Sequence, residues 1–131
     1  MTTAKEILHT LQLKELYLLH HDHSDKPEVL DSMLSTRLYE IATNGSVVSR
    51  DEVFDWLLEK DTKARWEMSN FRGRTFGTSA AHLIYQARQV EGKLMSSSSE
   101  GSWRTSLWTR HRDSGEWQLC FHQATKIDNR K

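Results

Sequence analysis

The end of the chain most constrains the fold, because residues 102–125 contain two runs rich in aromatic and β-forming side chains. The short turn motif Asp113-Ser114-Gly115 lies between the two runs. Two β-forming runs around such a turn are typical of an antiparallel hairpin. The segment therefore predicts a long hairpin within a substantial sheet.

The second half of the chain predicts four strands. They are expected over residues 64–76, 79–90, 102–112 and 116–126. The polar stretch 95–101 interrupts them and is expected to be a mobile loop tip without a function.

The first sixty residues predict three helices. Thr3 with Glu6 and Ser49 with Glu52 match the capping box that begins a helix, so one helix should begin after each pair. Pro27 fits the first turn of a shorter helix between these two.

An early hairpin is expected between the second and third helices. Residues 37–48 predict two short strands around an Asn-Gly turn at 44–45. Helices followed by a run of antiparallel strands indicate an α+β layer fold.

Composition narrows the class of protein. The 131 residues are expected to form a single domain, 1–131. Cys120 is the single cysteine in the sequence, so an internal disulfide is impossible. Equal counts of 18 basic and 18 acidic residues argue against a nucleic-acid partner. Neither a signal peptide nor a bilayer-spanning apolar run is present, which predicts a cytoplasmic protein that does not contact a membrane.

The order of several short motifs resembles the nuclear-transport-factor-2-like (NTF2-like) superfamily, also called SnoaL-like, and within it the group named domain of unknown function 4440. The motifs are Glu15 and the segments 38–45, 83–85, 104–108, 115–118 and 121–125. Ala42, Gln86 and Ala124 depart from that family's usual residues, and Gln86 replaces a frequent arginine.

The resemblance implies a cystatin-like cone, in which a strongly curved, mostly antiparallel sheet wraps three N-terminal helices around a cavity. Members of this superfamily include isomerases, dehydratases, cyclases, hydrolases and non-catalytic binding proteins. The fold alone therefore leaves the chemistry open.

Glu15 is the first candidate for a ligand-binding residue, because it lies within the apolar stripe of the first helix. A buried carboxylate is costly without a partner. The expected partners from the strands are Arg104, His122 and Tyr85. Two interpretations stay open, a structural pair that ties the helix to the sheet and a cavity carboxylate that acts as general base.

Side-chain alternation assigns the other candidates to faces of the sheet. Gln123 shares a face with Leu119 and is expected at the cavity, which puts His122 on the opposite face unless a bulge intervenes. Ser106 shares a face with Arg104.

Glu40 and Tyr85 complete the candidate set. Glu40 is expected to be either a half-exposed strand residue or a general base, and Tyr85 to offer its hydroxyl to a bound carbonyl or to a structural partner.

No metal or cofactor is expected. The histidines of residues 20–23 are adjacent on a helix and therefore point in different directions instead of converging on one ion. Phosphate loops, paired cysteines and nucleophile elbows are absent from the sequence.

Three functions fit these observations. The favoured one is a non-catalytic small-molecule-binding domain. The others are an isomerase or lyase with a cavity carboxylate as general base, and an accessory or immunity-type protein-interaction factor. A homodimer through the outer sheet face is expected, since Ile84, Trp103, Leu107, Trp108 and Cys120 cannot all face one core.

Overall fold

A computed structural model describes residues 2–92 and 101–127, so the predicted loop tip lies, apart from Gly101, outside the described residues. The described part of the chain forms three helices and six strands. The helices are α1 (Ala4–His20), α2 (Pro27–Met33) and α3 (Arg50–Glu59). The strands are β1 (Leu34–Ile41), β2 (Val47–Ser49), β3 (Arg65–Phe76), β4 (Ala80–Glu91), β5 (Ser102–Arg110) and β6 (Trp117–Lys126).

Both predicted capping boxes are present. The Thr3 hydroxyl accepts a hydrogen bond from the Glu6 amide at 3.1 Å, and the Glu6 carboxylate accepts one from the Thr3 amide at 3.0 Å. Ser49 and Glu52 repeat the arrangement at the start of α3. Pro27 is the first residue of α2, where a missing amide proton costs nothing.

The six strands form one sheet in the order β2-β1-β6-β5-β4-β3. The β1–β6 pair is parallel and the other four pairs are antiparallel, as the prediction of a mostly antiparallel sheet requires. The inner face packs against the helices, and its core includes Leu11, Leu30, Leu83 and Trp108. No helix among residues 2–92 and 101–127 has the length and apolar character needed to cross a bilayer.

A bulge at Cys120 changes which side chains face inward on β6. Trp108 pairs with Leu119 and Leu107 pairs with Phe121, so Cys120 is the extra residue of the bulge and no residue of β5 lies opposite it in the register. One extra residue reverses the alternation beyond that point.

The reversal corrects the predicted face of two candidates. His122 is buried on the inner face, where it lies opposite Glu40 of strand β1. Gln123 pairs with Ile41 in the next row, so the prediction that Gln123 lies at the cavity is wrong. The prediction from strict alternation failed because the hydrophobic pattern of β6 does not reveal the extra residue.

Candidate functional site

A small cavity lies between the inner face of the sheet and helices α1 and α3, and we call it the cone cavity. It is lined by Glu15, Leu18, Leu19, Glu40, Val53, Trp56, Leu57, Tyr85, Arg104, Leu119 and His122. The space available to the centres of water molecules is about 50 Å³. This volume holds a few waters or one small polar group, and is well below the 300–1,000 Å³ or so of a typical ligand pocket.

Glu15 is 3% exposed and both of its carboxylate oxygens accept hydrogen bonds from strand side chains. The Tyr85 hydroxyl donates to Oε1 at 2.5 Å, and the Trp108 indole Nε1 donates to Oε2 at 2.7 Å. Burial and the neighbouring Glu15 carboxylate raise the pKa of Tyr85 well above its usual value, so its hydroxyl keeps its proton.

The prediction that Glu15 is buried with a polar partner from the strands is therefore confirmed, with Tyr85 as one partner. Neither Arg104 nor His122 bonds to it among the described contacts. Trp108 was not predicted as a partner, although strand alternation puts it on the same face of β5 as Arg104 and Ser106. An indole N–H in a core needs an acceptor, and that rule would have suggested the pair.

Glu40 and His122 meet across the β1–β6 pair. His122 Nδ1 lies 3.4 Å from Glu40 Oε1, close enough for an ion pair but too long or poorly aligned for a hydrogen bond. This nitrogen is buried and has no hydrogen-bond partner among residues 2–92 and 101–127.

Ser106 lies directly opposite His122 in the β5–β6 pair. Its hydroxyl is also buried without a hydrogen-bond partner in the described part of the chain. Buried polar groups are nearly always paired in native proteins, so these two adjacent exceptions make this place a candidate site.

Arg104 extends from the inner face of β5 at the mouth of the cone cavity. Its guanidinium lies over the Trp66 ring, 4.7 Å from the ring centroid, and its Nε donates to the Ser102 hydroxyl at 3.1 Å. The terminal nitrogens have no hydrogen bond or ion pair within residues 2–92 and 101–127.

Two wider clefts adjoin the cone cavity. The outer cleft shares Arg104 with it, has a volume of about 370 Å³ and is lined by Thr43, Trp66, Ala87, Gln89, Gly101, Ser102, Arg104 and Lys126. The side cleft shares Trp56 with it, has a volume of about 280 Å³ and is lined by Trp56, Glu59, Lys60, Asp61, Ala64, Trp66 and Gln89. Sequence reasoning missed Trp56 and Trp66, since an aromatic residue near a helix end or strand start has no distinguishing pattern.

A histidine fixes the position of Trp66. His20 Nε2 accepts a hydrogen bond from the Trp66 amide at 3.0 Å, so this nitrogen is unprotonated. Burial, and then the charges of Arg65 and Lys60, lower the pKa of His20 below its ordinary value. Within the described residues, no group of His, Cys, Asp or Glu side chains has an arrangement that could hold a metal ion.

Comparisons with known proteins find similarity at the level of the fold. Neither a protein-family model nor a curated protein sequence matches the chain significantly. Solved structures do match over nearly the full length of the chain.

A candidate Ca/calmodulin-dependent kinase II association domain from Exiguobacterium sibiricum is 16% identical, with a TM-score of 0.71 and coverage of 99% of this chain and 98% of that one. An NTF2-like protein from Cytophaga hutchinsonii is 15% identical, with a TM-score of 0.69 and coverage of 96% and 100%. A candidate ketosteroid isomerase from Shewanella frigidimarina is 11% identical, with a TM-score of 0.64 and coverage of 94% and 95%. The chain therefore has the NTF2-like, cystatin-like α+β fold, as the sequence predicted.

Proposed function

We propose that this chain is a dimeric, non-catalytic small-molecule-binding domain whose ligand occupies the mouth of the cone cavity. The observation that carries the proposal is the convergence of unused polar groups at an apolar cavity. Glu40, His122 and Arg104 come from three adjacent strands, and each retains hydrogen-bonding capacity that no described residue uses. A few convergent polar groups on an apolar wall are what a binding site for a small molecule requires.

The size of the cone cavity determines how such a ligand fits. About 50 Å³ accepts one small polar group, whereas the adjoining outer cleft of about 370 Å³ accepts the rest of the molecule. The ligand would thus lie across Arg104, which lines both spaces.

Binding is tested by a screen of small fragments that includes neutral, cationic and anionic members, followed by NMR. The five tryptophans serve as built-in reporters, since their indole N–H resonances are resolved from the backbone. We expect the bound fragments to shift the indole resonances of Trp56 and Trp66, which line the clefts, and not that of Trp103 on the outer face. A screen in which no fragment shifts Trp56 or Trp66 contradicts the proposal and favours a protein-interaction factor.

The outer face of the sheet supports the proposed homodimer. Tyr39 is 49% exposed and its ring meets Phe121, with the ring centroids 5.1 Å apart. Trp103, Leu107 and Ile84 are only half-buried on the same face, whereas Trp108 faces the core. A second copy would cover this apolar surface.

The homodimer is tested by analytical ultracentrifugation of the wild type and of Trp103→Glu. We expect a dimer that the substitution weakens, because a carboxylate would be buried in the interface. The exposed Leu13→Glu, on helix α1 and away from the outer face of the sheet, is the control. A wild type that sediments as a monomer at high concentration contradicts the dimer.

A second candidate function is an isomerase or lyase with Glu40 as general base. It is favoured by the Glu40–His122 contact, which leaves one Glu40 oxygen free at the cavity. Both Glu15 oxygens are already occupied, so Glu15 is the weaker candidate for this role. Turnover of any fragment that binds, lost in Glu40→Gln while binding is kept, would favour the enzyme over the non-catalytic domain.

A further inference from the structure

Apart from Arg104, which lines both spaces, the charged side chains of the cone cavity and of the outer cleft are separated by sign. The carboxylates, Glu15 and Glu40, lie inside the cone cavity. The outer cleft has two charged side chains in its described lining, Arg104 and Lys126, and both are cationic. A ligand that extends from the cleft into the cone therefore passes from a positive to a negative environment.

The donors of Arg104 are arranged for an anion. Its Nε donates to Ser102 and its central carbon lies over the Trp66 ring, so both contacts restrict the orientation of the guanidinium. The terminal nitrogens remain without a partner in the described part of the chain. A planar guanidinium with two free N–H groups forms paired hydrogen bonds with carboxylates and phosphates.

We propose that the outer cleft binds an anionic group of the ligand, a carboxylate or a phosphate, through paired hydrogen bonds from Arg104 with support from Lys126. The inference rests on the proposed function and assigns the chemical class of the ligand. Ser102 acts as a positioning residue, because it holds Arg104 and does not itself have to contact the anion. The remainder of the ligand carries a hydrogen-bond donor that reaches Glu40 in the cone cavity.

The test uses four compounds that share one ring and differ in charge: benzoate, phenyl phosphate, benzamide and benzamidine. Each is titrated at constant ionic strength while the Trp66 indole resonance is followed by NMR. Benzoate, phenyl phosphate or both should bind at least about tenfold more tightly than benzamide and benzamidine. The two anions distinguish a carboxylate from a phosphate ligand.

Variants then connect the binding to Arg104. Arg104→Met should weaken binding of the preferred anion at least about tenfold. Arg104→Lys should weaken it less, because a lysine keeps the positive charge although it cannot form the paired contact. Arg110→Met is the matched control, because Arg110 also stacks on a tryptophan of the same sheet, Trp117, at 4.6 Å. If Arg104→Met fails to fold, Lys126→Met replaces it, with a smaller loss expected.

Three results overturn the inference. Equal binding of the neutral, cationic and anionic compounds would show that the cleft does not select anions, while the proposed binding function would stand. Anion binding that is unchanged in Arg104→Met and Lys126→Met would show that the anion binds elsewhere. If none of the four compounds binds while other fragments shift Trp56 or Trp66, the anion inference fails alone.

Discussion

Strand β5 has an arginine near each end, and each arginine lies over a tryptophan of another strand. Arg110 lies over Trp117, donates from Nε to the Thr78 carbonyl at 2.8 Å and from a terminal nitrogen to the Gly115 carbonyl at 3.0 Å. Arg104 lies over Trp66, and its one hydrogen bond to the described residues runs from Nε to Ser102.

The difference extends to the neighbouring side chains of the strand. At the Arg110 end, the Trp108 indole has its acceptor in Glu15. At the Arg104 end, the Ser106 hydroxyl and the adjacent His122 Nδ1 are buried without hydrogen-bond partners among the described residues. We infer that the satisfied end stabilises the fold and propose that the unsatisfied end binds a ligand, since native cores rarely leave polar groups unpaired without a function. Substitutions at the two ends test this contrast.

The largest effect is expected at the satisfied end. Glu15→Leu leaves the Tyr85 hydroxyl and the Trp108 indole without their acceptor in the core. Two orphaned donors should lower the free energy of unfolding by about 2–5 kcal/mol, measured by urea denaturation. Glu15→Gln keeps one acceptor and can donate to the Tyr85 oxygen, so it should cost less, about 1–3 kcal/mol. Equal stability of wild type and Glu15→Leu would contradict a structural role for this carboxylate.

The two arginines should separate stability from binding. Arg110→Met removes two hydrogen bonds to backbone carbonyls and should lower the free energy of unfolding by about 1 kcal/mol. Arg104→Met removes one hydrogen bond, to Ser102, and should change stability by half as much or less. Thermal unfolding of both variants measures this difference. A larger loss of stability in Arg104→Met than in Arg110→Met would contradict it.

Ser106→Ala should leave stability unchanged or raise it by up to about 1 kcal/mol, because it removes a hydroxyl that is buried without a partner. Ser102→Ala is the matched control and should be destabilising, since the Ser102 hydroxyl accepts from Arg104. A greater loss in Ser106→Ala than in Ser102→Ala would indicate that a bound water completes the Ser106 site.

The smallest effect concerns pH. Burial lowers the pKa of His20, so the unfolded chain takes up a proton at a higher pH than the folded chain. Stability should therefore be full above the ordinary histidine pKa near 6.5 and should fall as the pH drops below it. Burial also lowers the pKa of His23, so His23 should contribute to the same loss of stability at low pH.

His20→Gln should reduce this loss of stability, because a glutamine oxygen can accept from the Trp66 amide without titrating. Melting temperatures of wild type and variant, compared between about pH 7.5 and about pH 5.5, measure it. A melting temperature that falls equally with pH in both proteins would contradict the assignment to His20.

Much of the fold could be predicted from local signals. The capping boxes at Thr3 and Ser49 each involve side chains three residues apart, and the Asn-Gly turn is set by local backbone geometry. Glu15 could be predicted as buried because a helical stripe is also a local pattern. The packing of these elements into an NTF2-like cone came from the resemblance and not from periodicity.

The site itself depended on features that sequence does not display. The bulge at Cys120 exchanged the faces of His122 and Gln123, and a one-residue insertion leaves the composition of β6 unchanged. Trp66 contacts Arg104 across the intervening strand β4, although the two residues are 38 positions apart in the sequence. Such a long-range contact depends on the order and register of the whole sheet, which local patterns do not specify.

The most direct test of the contrast between the two ends of β5 is proton exchange at the two guanidinium groups, followed by nitrogen-15 NMR. In the free protein, the terminal N–H protons of Arg110 should exchange more slowly than those of Arg104, because only Arg110 donates to a carbonyl from these nitrogens. Addition of benzoate or phenyl phosphate should slow exchange at Arg104 and leave Arg110 unchanged. Equal exchange at both arginines in the free protein, or no response of Arg104 to either anion, would contradict the account.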